Sequence, residues 1–225
     1  MSPAAEVTLL WVAFAATHIG LSSDLVRPRL ARLLGAIGFL AAYSIVALAI
    51  FVPLVWIYFE GRHLGPWVLP IERGTVLLWV DYGIMGTAFV FLVAAFVRRS
   101  PAAVVPGDAT PRGIYRITRH PLMMAIALFG LGHLLQNGRT TDLAFFGGLV
   151  WFPLLGAWHQ DRRKLKAGDP GFQHFYDETP FFPFTGRSTV RGLRELPGWI
   201  VLVGIAVTVG IRWFHSSWFG VALPG

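Results

Sequence analysis

The chain has 225 residues, of which 55% are hydrophobic and only 14% are charged, and its mean hydropathy is +0.59. A soluble domain carries roughly 25% charged residues, so this composition excludes an ordinary soluble protein and predicts a membrane protein. The formal net charge of +7 is accompanied by no basic and aromatic motif typical of nucleic-acid binding. Because the chain contains no cysteine, disulfides, thiolate ligands and cysteine nucleophiles are excluded.

Six apolar segments approach the length of about 20 residues that a membrane-spanning helix needs. They cover residues 4–21, 35–59, 75–97, 121–137, 143–160 and 199–219. The sequence therefore predicts an all-α, polytopic membrane helix bundle that forms a single domain over residues 1–225. The aromatic-rich segment 161–198 is expected to form a short cytoplasmic cap that lies on the membrane surface or closes a cavity.

The basic residues predict the orientation of the chain in the bilayer. The connections 22–34, 98–120 and 161–198 contain most of the 19 lysines and arginines, and such connections usually face the cytoplasm. Both termini are then expected on the periplasmic side. The first span has no basic region before it, and Glu6 precedes its apolar stretch, so we expect a retained span instead of a cleaved signal.

Three histidines fall near the cytoplasmic boundary of this topology. His18 ends the first span, His120 begins the fourth and His159 ends the fifth. Ionisable residues at such positions are costly and are therefore functional candidates. Two neutral imidazoles can hold a haem iron, and three can hold zinc or another transition metal. The alternative is that each histidine is an ordinary interfacial residue with its polar tip in water.

The residues just before the fourth span support a cofactor site. Pro121 suits the first turn of a helix, where its missing N–H has no partner, so His120 would be held at a helix start. Arg116 and Arg119 lie beside it and would neutralise haem propionates or another anionic group.

A second polar group, Asp81 with Arg212 and His133, is expected nearer the outer ends of the spans. It would form a structural ion pair or a path for protons or substrate.

These residues give the chain a resemblance to the NnrU family of bacterial inner-membrane proteins. The family resemblance implies a role linked to nitrogen-oxide metabolism, that is, denitrification. It extends over most of the chain and rests on the runs 17–23, 43–54, 112–138, 158–163 and 181–184.

The NnrU family is similar to the zeta-carotene isomerases, which are integral membrane proteins that use haem b. Their proposed axial histidines match His18 and His120 here. The resemblance therefore implies bis-histidine haem b with a redox or isomerase-like role, and His159 as a supporting or exchange ligand. Ile117 stands where the isomerases carry a cysteine, so a cysteine-dependent ligand switch is impossible. A hydrophobic small molecule or a membrane redox partner would accompany such a role.

Two other function classes stay open. The chain also resembles membrane methyltransferases of the isoprenylcysteine carboxyl type, which implies a site for S-adenosylmethionine. Paired glutamates in those enzymes correspond to His159-Gln160-Asp161 here. The third class is a non-catalytic assembly factor for membrane reductases. The residues that would surround S-adenosylmethionine are Tyr115, Arg119, His120, Asp161, Phe175 and Tyr176.

Overall fold

The computed structural model describes residues 1–69, 74–98, 100–101 and 107–219. Within these ranges the chain forms eight α-helices and one 3₁₀ turn, and its extended pairing is an isolated bridge between Trp67 and Arg139. The all-α class predicted from the sequence is confirmed. The elements are α1 (Pro3–Ser22), α2 (Arg27–Gly61), α3 (Thr75–Val97), the 3₁₀ turn (Gly113–Arg116), α4 (Pro121–Gln136), α5 (Thr140–Lys166), α6 (Pro170–Glu178), α7 (Thr189–Glu195) and α8 (Gly198–Phe219).

Five of these helices, namely α1, α2, α3, α5 and α8, are long and apolar enough to cross a membrane. Helix α4 is apolar but has only 16 residues. At 1.5 Å per residue it measures about 24 Å, which is shorter than the hydrocarbon core of about 30 Å. The chain is therefore a multi-pass membrane protein, and the fourth predicted span, which corresponds to α4, is a shorter helix than the other five.

The helix boundaries show how local sequence competes with apolar length. Helix α4 begins at Pro121, as the sequence predicts. Helix α2 starts at Arg27, before the predicted span, but its helical geometry is broken at Gly35, which has φ 73° and ψ 168°. Glycine adopts this left-handed conformation at little cost because it has no Cβ. The apolar part of α2 therefore begins where the chain bends.

The chain divides into two compact units. Unit 1 comprises residues 1–72 and 133–152, and unit 2 comprises residues 73–132 and 153–225. Helices α4 and α5 each contribute to both units. In unit 1, α1 packs along α2 and presents Trp11, only 2% exposed, to the aromatic rings of Phe51 and Phe145. Gly148 lies directly under the Trp11 indole, where a Cβ would collide with the ring.

The core of unit 2 joins α3, the 3₁₀ turn, α4, α6 and α8. Phe172 and Phe175 of α6 are 1% and 0% exposed, so these cap aromatics enter the protein core. Phe182 and Phe184, farther along the same segment, are 55% and 51% exposed and suit a membrane-surface position. The core residues are Phe91, Ala94, Ile114, Tyr115, Ile117, Met124, Ala125, Phe172, Phe175 and Ile200.

The close contact between α3 and α8 depends on one glycine. A Cβ added to Gly204 would lie 2.7 Å from Val90 Cα and 2.8 Å from Val90 N, and this backbone cannot rotate away. We expect Gly204→Ala to destabilise the protein by about 1–3 kcal/mol, the usual cost of overpacking. Unfolding in detergent, followed by circular dichroism against denaturant or temperature, measures the change.

Gly210 on the same helix provides the matched control, because a Cβ there meets nothing within 4 Å. Gly210→Ala is expected to be neutral or slightly stabilising, since alanine favours a helix by up to about 1 kcal/mol over glycine. Equal effects of the two substitutions would contradict the close-packing account of α3 and α8.

Candidate functional site

The run before α4 is a buried, hydrogen-bonded segment of unit 2. Ile117 N and Thr118 N both donate to Ile114 O, at 2.9 Å, and close the 3₁₀ turn. Thr118 Oγ1 then donates to Phe181 O at 2.7 Å, and Arg119 N donates to Pro180 O at 2.9 Å. The segment that follows α6 therefore fixes the position of the residues that open α4.

The carboxylate of Asp161 lies at the centre of this arrangement. Its Oδ2 accepts a hydrogen bond from Arg119 Nε, and its Oδ1 lies on His120 Nε2, both at 2.7 Å. The three side chains are 5%, 8% and 2% exposed respectively. Arg119 Nη1 also donates to Thr179 O at 2.7 Å, and its guanidinium lies 4.1 Å from the Tyr176 ring centroid. The structure thus brings together Arg119, His120 and Asp161, all of which were singled out from the sequence.

The partners of Asp161 determine what His120 can do. An ionised carboxylate only accepts hydrogen bonds, so His120 Nε2 must carry the hydrogen. A neutral imidazole also leaves the buried cluster without net charge, because Arg119 and Asp161 balance each other. The lone pair of a neutral His120 then lies on Nδ1, which is the ring atom able to accept a hydrogen bond or bind a metal.

Arg116 and Tyr115 also have partners within unit 2. Arg116 Nε donates to Glu195 Oε2 at 2.9 Å, so both predicted propionate arginines already bind carboxylates of this chain. Tyr115 is fully buried, its hydroxyl donates to Arg98 O, and its ring packs edge-on against Phe175. Burial raises the pKa of Tyr115 to about 12. The cofactor contacts assigned to these residues stay predictions.

His18 belongs to α1 in unit 1, whereas the Asp161 cluster belongs to unit 2. Its ring is surrounded by the rings of Phe14, Tyr43 and Phe152, with centroid distances of 5.1, 4.6 and 5.4 Å. Its Nδ1 is buried and has no hydrogen-bond partner among the residues that the structure describes. A buried polar atom left in this way costs roughly 1–3 kcal/mol, so it marks a place where a ligand atom would be stabilising.

The metal predictions can be compared with one further observation. Among the described residues, no group of three or more His, Cys, Asp or Glu side chains is arranged to hold a metal ion. A haem needs only one or two axial side chains, so this finding does not test haem binding. His159 lies on α5 in unit 2 and is half-buried, and its predicted supporting role stays a prediction.

The predicted outer polar group is also distributed over the two units. In unit 2, Asp81 is buried against Gly132, and Arg212 Nε donates to Tyr82 OH at 2.8 Å. In unit 1, the His133 ring stacks on Phe146 with a centroid distance of 4.4 Å. The ion pair proposed between Asp81 and Arg212 stays a prediction.

Sequence reasoning missed a second buried carboxylate, Asp142 in the first turn of α5. It accepts hydrogen bonds from Tyr58 OH at 3.1 Å and from His63, all within unit 1. His63 was assigned no role from the sequence. The one available signal was an acidic residue at the start of an apolar helix, and it gives no indication of partners some 80 positions away.

Comparisons with known proteins agree with the resemblance seen in the sequence. The family model described as "NnrU protein" matches residues 6–223. The chain is also similar to two proteins named 15-cis-zeta-carotene isomerase, chloroplastic. The Zea mays protein is 28% identical over 195 residues, which cover 84% of this chain and 51% of that protein. The Arabidopsis thaliana protein is 29% identical over 233 residues, covering 98% of this chain and 62% of that protein.

The chain therefore spans about half to three-fifths of the length of these two relatives. No solved structure matches it.

The buried position of Asp161 leads to a stability prediction. Asp161→Asn keeps the shape of the side chain but leaves the Arg119 guanidinium buried without a counter-charge, which typically costs about 3–5 kcal/mol. We expect a loss of that size in unfolding experiments in detergent. Asp177→Asn, on the exposed face of α6, is the matched control and should stay within about 0.5 kcal/mol of the wild type. Similar losses in both variants would contradict the central role of Asp161.

A pH prediction follows from Glu195 on α7. The Gly113 N–H, with further hydrogen bonds from Arg116 and Arg191, lowers the pKa of Glu195 from 4.5 to about 2. Because the folded state favours the ionised carboxylate, its contribution to stability is complete above pH 4.5 and is lost as the pH falls toward 2. Glu195→Gln should therefore unfold at a lower temperature at neutral pH and show a shallower decline across this range. Glu178→Gln, exposed on α6, should follow the wild-type curve.

Proposed function

The chain belongs to the NnrU family, and from that premise we propose that it is a membrane haem b protein with an isomerase-like activity. The observation that carries the haem proposal is the buried Nδ1 of His18, which has no hydrogen-bond partner in the described part of the chain and belongs to a ring packed against three aromatic side chains. An imidazole nitrogen in apolar, aromatic surroundings suits an axial haem ligand. The substrate class follows from the two isomerase relatives: a lipid-soluble polyene.

The residues around His18 would prepare it for this role. The rings of Phe14, Tyr43 and Phe152 pack against the imidazole, whose Nδ1 is buried. Tyr43 OH donates to His18 O at 3.1 Å, which ties α1 to α2. When bound, the haem iron would supply a one-electron redox centre. The aromatic surroundings would hold the imidazole in one orientation and keep competing water away from its ligating nitrogen.

His120 has a different type of support. Metal-ligating histidines usually donate their other ring N–H to a carboxylate, which fixes the tautomer. Asp161 is the carboxylate that accepts from His120 Nε2. His120 Nδ1 would therefore be its ligating atom. That His18 and His120 serve one haem remains the prediction from the sequence, and single substitutions of each histidine test it.

The finer parts of the assignment are also proposals. We place the protein in a bacterial cytoplasmic membrane, with both termini periplasmic and a role linked to nitrogen-oxide metabolism. Five long apolar helices and the uneven distribution of basic residues support this orientation, provided that α4 completes a sixth crossing. A C-terminal reporter enzyme that is active only in the periplasm tests it, and an inactive, cytoplasmic reporter would overturn it.

The methyltransferase alternative gains no support from the geometry. Tyr115 and Phe175, which would contact S-adenosylmethionine, are both 0% exposed in the core of unit 2. Arg119, which would meet the carboxylate of that cofactor, is already bonded to Asp161. These residues stabilise the fold in their present positions.

The haem proposal predicts a spectrum. The protein purified in mild detergent, or reconstituted with haem b, should show a Soret band that shifts on reduction. His18→Ala should abolish this band, whereas His174→Ala, exposed on α6, should leave it unchanged. Loss of the band in His120→Ala as well would support two axial histidines. A wild-type protein that takes up no haem would overturn the proposal.

The activity is tested separately in liposomes that contain 15-cis-zeta-carotene, with chromatography to follow the ratio of isomers. Haem-loaded protein should convert the cis isomer, and His18→Ala should not. If the protein binds haem but does not convert the carotene, the haem proposal stands and isomerisation of this substrate is rejected. Colourless protein that S-adenosylmethionine stabilises against heat would instead favour the methyltransferase, and no response to either cofactor would favour an assembly role.

A further inference from the structure

The loop that follows α2 is fastened to the turn between α4 and α5 in unit 1. The loop backbone forms hydrogen bonds with backbone and side-chain groups of the turn and of the first residues of α5. These are Val68 N to Gly138 O at 2.8 Å, Thr140 N to Pro66 O at 3.2 Å, Thr141 Oγ1 to Leu64 O at 3.1 Å and Arg139 Nη1 to Gly65 O at 2.8 Å. The loop therefore has a defined conformation at the end of a membrane-spanning helix.

His63 occupies the start of this loop in an unusual backbone conformation. Its φ is 59°, in the left-handed region that few residues with a side chain adopt. Conformations of this kind persist where the surroundings enforce them, and they occur often at binding and active sites. Here the fastened loop on one side and Asp142 on the other hold His63 in place.

Asp142 orients the His63 imidazole. Its carboxylate is 2% exposed, its Oδ2 lies 3.0 Å from His63 Nδ1, and its Oδ1 accepts from Tyr58 OH and His63 N. Because the ionised carboxylate only accepts, Nδ1 carries the hydrogen and the lone pair of a neutral imidazole lies on Nε2. The His63 side chain is 37% exposed, so part of the imidazole is accessible from outside the protein.

The chemistry of the cluster selects the type of ligand. The negative charge behind the imidazole disfavours an anion, and no group of three metal-ligating side chains occurs among the described residues. An imidazole nitrogen that accepts, with a carboxylate behind it, favours a ligand that donates a hydrogen bond. The Asp142 charge strengthens Nε2 as an acceptor, since linked hydrogen bonds polarise one another.

The surroundings indicate where such a ligand comes from. The loop directly follows α2, so it lies at the membrane boundary, and its apolar side chains Leu64, Trp67 and Val68 are each about half exposed. The Arg139 guanidinium lies over the Trp67 ring, as is common where aromatic residues meet the interface. A molecule with an apolar body and a polar head would be concentrated in this layer.

We propose that His63 is the acceptor of a second binding site, which takes the hydroxyl group of a lipid-soluble phenol or alcohol. The hydroxyl donates to His63 Nε2, and Asp142 and Tyr58 hold the imidazole in the required orientation. The site involves neither His18 nor the Asp161 cluster, so it is independent of the haem proposal.

The test compares 4-nonylphenol with its methyl ether, 4-nonylanisole, as probes of the full-length protein in nanodiscs. Both enter lipid, but only the phenol donates a hydrogen bond. We expect the phenol to bind about tenfold more tightly than the ether, the value of one hydrogen bond, in calorimetry or tryptophan fluorescence. Equal affinities of the wild type for the two probes would overturn the proposal.

His63→Asn is the informative variant, because asparagine tolerates the left-handed backbone and still offers an N–H to Asp142. It removes Nε2, and the preference for the phenol should disappear. His174→Asn, at an exposed histidine of α6, is the matched control and should retain it. A preference that persists in His63→Asn would exclude His63 as the acceptor.

A second measurement does not depend on the folding of a variant. Diethyl pyrocarbonate should modify His63 in the wild-type protein, and mass spectrometry of peptides reports the rate. The phenol should slow this modification and the ether should not. Equal rates with both probes, or an unreactive His63, would overturn the proposal.

Discussion

The cost of removing a carboxylate from water governs the arrangement of unit 2. Asp161 is almost fully buried, and an isolated charge at that position would be prohibitively unfavourable. The protein satisfies the charge with Arg119 on one oxygen and His120 on the other. Because Arg119 also binds Thr179 O, the same charge fixes the start of α4, the C-terminal part of α5 and the end of α6 relative to one another. Local order at the candidate site is therefore a consequence of charge neutralisation.

Unit 1 contains a buried carboxylate with a different set of partners. Asp142 is satisfied by a phenol hydroxyl and by the backbone and side chain of one histidine, with no arginine among the hydrogen bonds described. The imidazole of His63 is consequently partly exposed, whereas that of His120 is enclosed. The same pair of side chains, a carboxylate and an imidazole, is thus enclosed at Asp161 and partly exposed at Asp142. His18, in contrast, is packed among aromatic rings, and its buried Nδ1 has no hydrogen-bond partner within the described ranges.

The sequence predicted the positions of the helices better than it predicted the hydrogen-bond and ion-pair partners of individual side chains. Apolar length located the long helices, and Pro121 correctly marked the start of α4. Helix α5 continues to Lys166, beyond the predicted span 143–160, because a helix can carry charged residues past the lipid. Arg116 and Arg119 were assigned to an anionic ligand because their spacing cannot reveal Glu195 or Asp161, which approach from 79 and 42 positions away. The pairing of His63 with Asp142 was missed for the same reason, since Asp142 lies 79 positions farther along the chain.

The left-handed glycine in α2 has a consequence for how the protein fits its bilayer. A straight helix of 35 residues would extend about 52 Å, far more than the lipid tails can cover. The bend at Gly35 separates a basic arm, which contains Arg29 and Arg32, from an apolar shaft of about 39 Å. The shaft can tilt to match lipids of different thickness while the arm follows the phosphate layer. The bend therefore allows the arm and the shaft to take different angles to the membrane plane.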